Sequence, residues 1–266
     1  MPQLPQCHKS LLLSTVTHVM AGTYAIGSNS VPNASPQHQR ALRSYWIDKM
    51  PVSFGHFERF VAGGGYDDSS LWTDTLESPS ISSIDKRCDE LKEQAIAAAR
   101  LFREKPTRSV DIPLVGVSWS EATAIARYAG GRLAFECEWE VAMQRSVRRH
   151  LSKDDCSASS LIAKCWQHAP QSDWGCVVST GVLQEWTADA FSPVYWRADS
   201  DQHGRAWTPG QMYGVSLRGS CFSDMHKDHR FRRSADPHER HPARGFRRVW
   251  DSEPSSNQCL SQFVLY

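Results

Sequence analysis

Between Arg218 and Arg248 the chain gathers the side chains best suited to chemistry. They are Arg218, Arg230, Arg232, Arg233, Arg240, Arg244, Arg247 and Arg248, with His226, His229, His238 and His241. Guanidinium groups fork onto carboxylate or phosphate, so the pattern points to a groove for an anionic or zwitterionic ligand. Any one of these arginines could instead brace a loop by bonding backbone carbonyls. So dense a patch would repel itself if bracing were its whole role, which favours the groove. His226, Asp228 and His229 supply the ligand types of a two-histidine, one-carboxylate iron site. In an extended segment, however, the adjacent Asp228 and His229 point to opposite faces, and solvated loop histidines are the simpler reading. No phosphate-binding glycine loop, dinucleotide fingerprint or paired-histidine zinc helix is present, nor a persuasive Ser-His-Asp set.

Several short elements must position this region. Val19 to Ser28 alternates apolar and small residues like a short strand with tight turns, and Tyr45-Trp46-Ile47 reads as another strand. Ser53 can cap a short helix whose Phe57, Phe60 and Val61 share one face, ended by Gly63 to Gly65. Asp85 to Glu104 has the spacing of an amphipathic helix packed on its own domain, too short for a sustained heptad. Ser118 and Glu121 form a capping box that opens a helix through Tyr128, with Gly130-Gly131 as its stop signal. Another short helix starts near Glu136. The polar stretch from Arg145 to Gly175 reads as a long surface loop, and the tail after Asp251 as poorly held.

A chain of 266 residues with 40% hydrophobic content and 22% charge can bury a sizeable core. Its net charge of +1 gives no global pull toward nucleic acid or membrane. Leu11-Leu12-Leu13 is too short for a secretory apolar core, and no apolar run is long enough to span a bilayer, so a cytoplasmic location is expected. The eight cysteines contain no closely spaced pair and read mostly as free thiols.

Taken in order, several segments resemble the formylglycine-generating enzyme, or sulfatase-modifying factor, family. They are Met20 to Gly27, Trp46 to Val52, Phe60 to Gly64, Pro113 to Trp119, Glu121-Ala122, Ala126 to Leu133 and Glu136 to Glu140. Glu185 to Asp189, Leu217 to Ser220 and Gly245 to Arg247 complete the set. The resemblance implies an α+β, C-type-lectin-like single domain over residues 19–250, with much irregular structure and a groove built from loops. The family's copper-dependent oxidases carry two cysteines after the Arg218 to Ser220 turn, and soft thiolates suit Cu(I). The matching positions here are Ser223 and Asp228, and Cys221 sits alone at another offset. Cysteine-to-formylglycine oxidation is therefore not expected, and the cofactor is left open. At Gly181 to Trp186, Val182 stands where relatives commonly have a calcium-binding Asn.

Asp236 to Arg240 and Gly245 to Arg247 are similar to the C-terminal part of the ergothioneine-type sulfoxide synthases. That similarity implies that Asp236 pairs with an ammonium group and Arg240 with a carboxylate, clasping a zwitterion from both ends. Ser223, Asp228 and His229 are thus the candidate catalytic residues. Asp236, Arg240, Arg218, Arg230 and Arg232 are the candidate binding residues for a small amino-acid-like or peptide substrate. Two functions fit: an oxidative tailoring enzyme, or a module that binds such a ligand without chemistry.

Overall fold

The computed structural model describes residues 16–73, 86, 87, 89–91, 93, 113–144, 171–181, 183–195, 214–221, 228–255 and 258. Most of the 145–175 stretch, much of the 85–104 helix, and Ser223 and His226 lie outside those residues. In chain order the elements begin with β1 (Val16–Val19), β2 (Gly22–Ile26), β3 (His38–Leu42), β4 (Tyr45–Asp48) and α1 (Phe54–Ala62). A 3-10 turn follows at Ser69–Trp72, then α2 (Trp119–Tyr128), β5 (Arg132–Leu133) and α3 (Glu136–Ala142). The chain continues with β6 (Gln184–Ala190), β7 (Val215–Arg218), β8 (Arg232–Ala235), β9 (Arg244–Phe246) and β10 (Arg248–Trp250). The protein is α+β, as expected, and none of its sheets closes.

Three sheets form. One has the order β1-β4-β10-β5, a second pairs β2 with β3, and the third has the order β8-β7-β6-β9. In the third, Glu185 lies opposite Arg218 and Arg218 opposite Arg232, while β9 runs parallel to β6. The Val19 to Ser28 stretch is two strands rather than one. Val16–Val19 pairs with β4 and Gly22–Ile26 turns away to pair with β3, because a strand bonded to two different sheets must break between them. The first described strand thus starts at Val16, and towards the C-terminus Arg132 donates to Asp251 at 2.7 Å and the Gln258 side chain accepts from the Ser255 N–H at 2.7 Å.

The helix signals act where the sequence put them. The Ser118 hydroxyl accepts from the Glu121 N–H at 3.2 Å, and Glu121 accepts the Ser118 N–H at 2.9 Å. Gly130 then takes the left-handed conformation that ends α2, at φ +70°. One apolar core lies between α1, α2 and the β6–β7–β9 face and includes Phe57, Phe60, Ile125, Trp186, Leu217 and Phe246. A second packs α3 against β2, β4 and β10 through Trp139, Val141, Tyr45, Ile47 and Val249. Strand alternation divides β6 between two environments. Trp186 enters the first core, whereas Glu185 points to the opposite face.

Candidate functional site

On that opposite face the interior is ionic. Helix α3 carries Glu136, Glu138 and Glu140, all buried. Helical spacing sends residues four apart to one side and the residue between them to the other. Glu136 and Glu140 face β7 and β8. Glu138 faces away, and the Arg132 guanidinium forks onto it with two contacts of 2.7 Å. Arg232 forks onto Glu136, its Nη2 donating to Oε1 at 2.6 Å, and donates through Nη1 to the Asn33 carbonyl at 2.6 Å. Arg218 donates to Glu140 through Nη2 and lies 3.7 Å from Glu136 through Nη1. Glu140 also accepts the Gly27 N–H at 2.7 Å and the Tyr195 hydroxyl at 2.9 Å. Two like charges opposite each other on β7 and β8 are tolerable here because Glu136 stands between them.

This arrangement fixes local proton affinities. Burial, and then the field of Glu136, pushes the Asp189 carboxyl well above the usual range; its Oδ2 accepts the Glu136 N–H at 2.5 Å. Burial, reinforced by Glu140, likewise raises the Tyr195 phenol. Arg218 and Arg232, expected as ligand contacts, are 0% and 1% exposed and sit against the buried carboxylates of α3. The Arg218 Nη1 also donates to the Arg230 carbonyl at 3.3 Å, in the turn that carries Asp228 and His229.

In that turn Asp228 is committed to Arg230, which donates to it through Nε at 2.8 Å, Nη2 at 2.6 Å and its backbone N–H at 2.9 Å. Burial opposes the charged carboxylate, yet the Arg230 bonds outweigh it and bring its pKa to about 2. His229 Nδ1 is 3.7 Å from Asp228 Oδ1. Burial lowers its pKa, opposed in part by Glu140 and Asp228, so the ring favours the neutral form. Arg230, expected as a ligand contact, is thus paired with Asp228.

Asp236 and Arg240 lie beyond the other end of β8, so the structure separates them from Asp228 and His229 by the length of that strand, roughly 10 Å. Asp236 is exposed and accepts the His238 N–H through Oδ1 at 2.8 Å. Arg240 is 36% exposed, with Nε 3.3 Å from Glu121 Oε2. Glu121 is a hub. It accepts Arg87 Nε at 2.7 Å and Nη2 at 2.9 Å, and the Tyr66 hydroxyl at 3.1 Å. Trp119 N–H donates to the Pro237 carbonyl at 2.9 Å, which fixes the 236–240 turn over the start of α2.

Neither metal of the family fits these residues. A Cu(I) site would need two thiolates, but position 228 holds a carboxylate already forked by Arg230, and Cys221 is buried. For calcium, Val182 offers no side-chain oxygen, and the nearby Glu185 is taken up by protein donors. It accepts Trp139 Nε1 at 2.8 Å, Arg247 Nε at 2.9 Å and the Ser179 hydroxyl. Among the described residues no group of three or more His, Cys, Asp or Glu could hold a metal ion. No described helix is long and apolar enough to cross a membrane.

Residues 3–252 match the family described as the sulfatase-modifying factor enzyme 1-like domain. The chain belongs to this family. It is 27% identical to the formylglycine-generating enzyme of Streptomyces coelicolor, over 71% of this chain and 70% of that protein. It is 26% identical to the hercynine oxygenase of Mycolicibacterium smegmatis, over 84% of this chain and 56% of that one. It is also 23% identical, over 82% of its length, to the serine/threonine-protein kinase pkn1 of Chlamydia caviae, of which it spans about a third (34%). The fold resembles PvdO from Pseudomonas aeruginosa, with a TM-score of 0.56 at 15% identity, covering 88% of this chain and 93% of that one. Sequence reasoning missed the Glu136, Glu140 and Asp189 network. The signal available was three glutamates at alternate positions on a helix otherwise apolar.

Proposed function

We propose that this chain is an atypical oxidoreductase of the sulfatase-modifying factor family that tailors an amino-acid-like or peptide molecule and does not convert cysteine to formylglycine. The observation that carries the substrate class is the 236–240 turn. It presents an exposed carboxylate and a partly exposed guanidinium four residues apart, held over α2. Similarity to an oxygenase and to a formylglycine-generating enzyme supports oxidative chemistry. The spent carboxylate at 228 argues against thiolate-bound copper. The same spent carboxylate favours a second reading, a binding module of the same family that holds its ligand without chemistry.

Metal analysis of the purified protein, followed by oxygen uptake with free amino acids and with a cysteine-containing peptide, separates the possibilities. Stoichiometric iron or copper with uptake on an amino-acid-like substrate supports the enzyme. A metal-free protein that still binds a zwitterion supports the module, and a peptide aldehyde product would overturn both. Under either reading, Arg240→Ala weakens zwitterion binding about tenfold, the worth of one charge-assisted hydrogen bond. Unchanged affinity removes the turn from the site.

A further inference from the structure

Arg244 opens β9 and is 4% exposed. Its guanidinium lies over the Trp186 ring, 4.6 Å from the centroid. Nε and Nη1 are both shielded from water, and neither makes a hydrogen bond. Among the described residues its carboxylate partner is Glu239, whose Oε2 is 3.1 Å from Nη1, within ion-pair distance but out of line for a hydrogen bond. Glu239 is 47% exposed and sits in a turn closed by its own N–H on the Asp236 carbonyl at 3.0 Å. A buried guanidinium is ordinarily satisfied by a parallel two-bond fork, and orphaned donors beside a misaligned partner are costly. Burial, opposed in part by Glu239, draws the Arg244 pKa below its ordinary value.

We propose that Arg244 is a second carboxylate-binding subsite, distinct from Arg240, and that Glu239 fills it as an internal stand-in which a ligand carboxylate displaces. A carboxylate bridging two guanidinium nitrogens would make two aligned bonds where Glu239 makes one misaligned contact. Trp186 would support the arginine from the other side. The existence of the site stands on Arg244 alone; only the identity of its occupant rests on the amino-acid-like ligand proposed above.

The test is the rise in Tm of the full chain with sodium propionate, at ionic strength held constant with chloride, with propionamide and inorganic phosphate as comparisons. Without propionate, Glu239→Gln melts below the wild type, because Arg244 loses the Glu239 carboxylate. Propionate restores it, with an apparent affinity at least about tenfold tighter than for the wild type, since no internal competitor remains. Propionamide does neither, and Arg244→Met abolishes the response. Arg240→Ala retains it, which separates this subsite from the zwitterion reading. Equal propionate affinity in wild type and Glu239→Gln, or a response that survives Arg244→Met, overturns the proposal. A response to phosphate without one to propionate overturns the carboxylate assignment. Should Arg244→Met fail to fold, the Glu239→Gln comparison decides, because that side chain is exposed. A lack of oxygen uptake with amino acids would count against the oxidative function and leave this subsite standing.

Discussion

Glu140 takes donors from three separate parts of the chain: the Gly27 N–H, the Tyr195 hydroxyl and the Arg218 guanidinium. Removing one partner of such a buried pair leaves an uncompensated charge, so Glu140→Ala should cost about 3–5 kcal/mol. Urea melts would show it as a lower midpoint at unchanged slope. Asp228 gives a pH signature. Arg230 overrides burial and holds its pKa at about 2, against 3.8 for the free group. The unfolded chain therefore takes up the proton first. The stability this carboxylate supplies is complete above roughly pH 4 and is lost as pH falls from there toward about 2. Asp228→Asn should flatten that part of the acid-unfolding curve, and a variant as steep as the wild type there would show that the Arg230 pairing is not maintained in solution.

Among the elements, α2 joins the most features. Its N-terminus holds Glu121, and Glu121 in turn receives Arg87. Lys86, Arg87, Asp89, Glu90, Leu91 and Glu93 are helical, as the amphipathic spacing from Asp85 to Glu104 predicts; the remainder of that expected helix lies outside the described residues. Leu91 is buried in the first core, and Arg87 Nη2 also bonds the Gly116 carbonyl at 2.6 Å. Arg87→Met should therefore speed amide hydrogen exchange around residues 86–93 at least about tenfold while sparing β4 and β10. Equal speeding across all elements would instead mean global destabilisation. Ser118→Ala removes one capping bond of α2 and should cost about 1 kcal/mol, read from the same melts.

For the molecule as a whole, Arg247 is the tie between sheets. It donates to the Asp48 and Lys49 carbonyls at 3.2 and 2.6 Å on one side. On the other it donates to the Val177 carbonyl at 2.5 Å and to Glu185. An ammonium group cannot reach these acceptors as a rigid fork, so Arg247→Lys should lower stability by on the order of 3 kcal/mol despite keeping the charge. Since Val182 supplies no side-chain oxygen and Glu185 beside it is taken up by protein donors, a calcium chelator should leave Tm unchanged; a fall of several degrees would restore calcium to this region.

What is local was legible in the residues alone. Ser118, Glu121 and Gly130 set the limits of α2 because a cap and a stop act within a few residues. Ser53 and the Glu136 region likewise placed α1 and α3, and the ordered segments fixed the family and the missing thiolate pair. Long-range packing, by contrast, sets which arginines are internal. Strand pairing places Arg218 beside Glu185 and Arg232, and α3 brings Glu136 and Glu140 onto both arginines from some 80 to 100 positions away. A guanidinium has the same residue type whether it meets a buried carboxylate or a ligand. Its role is set by the partner within about 3 Å, and long-range packing alone supplies that partner.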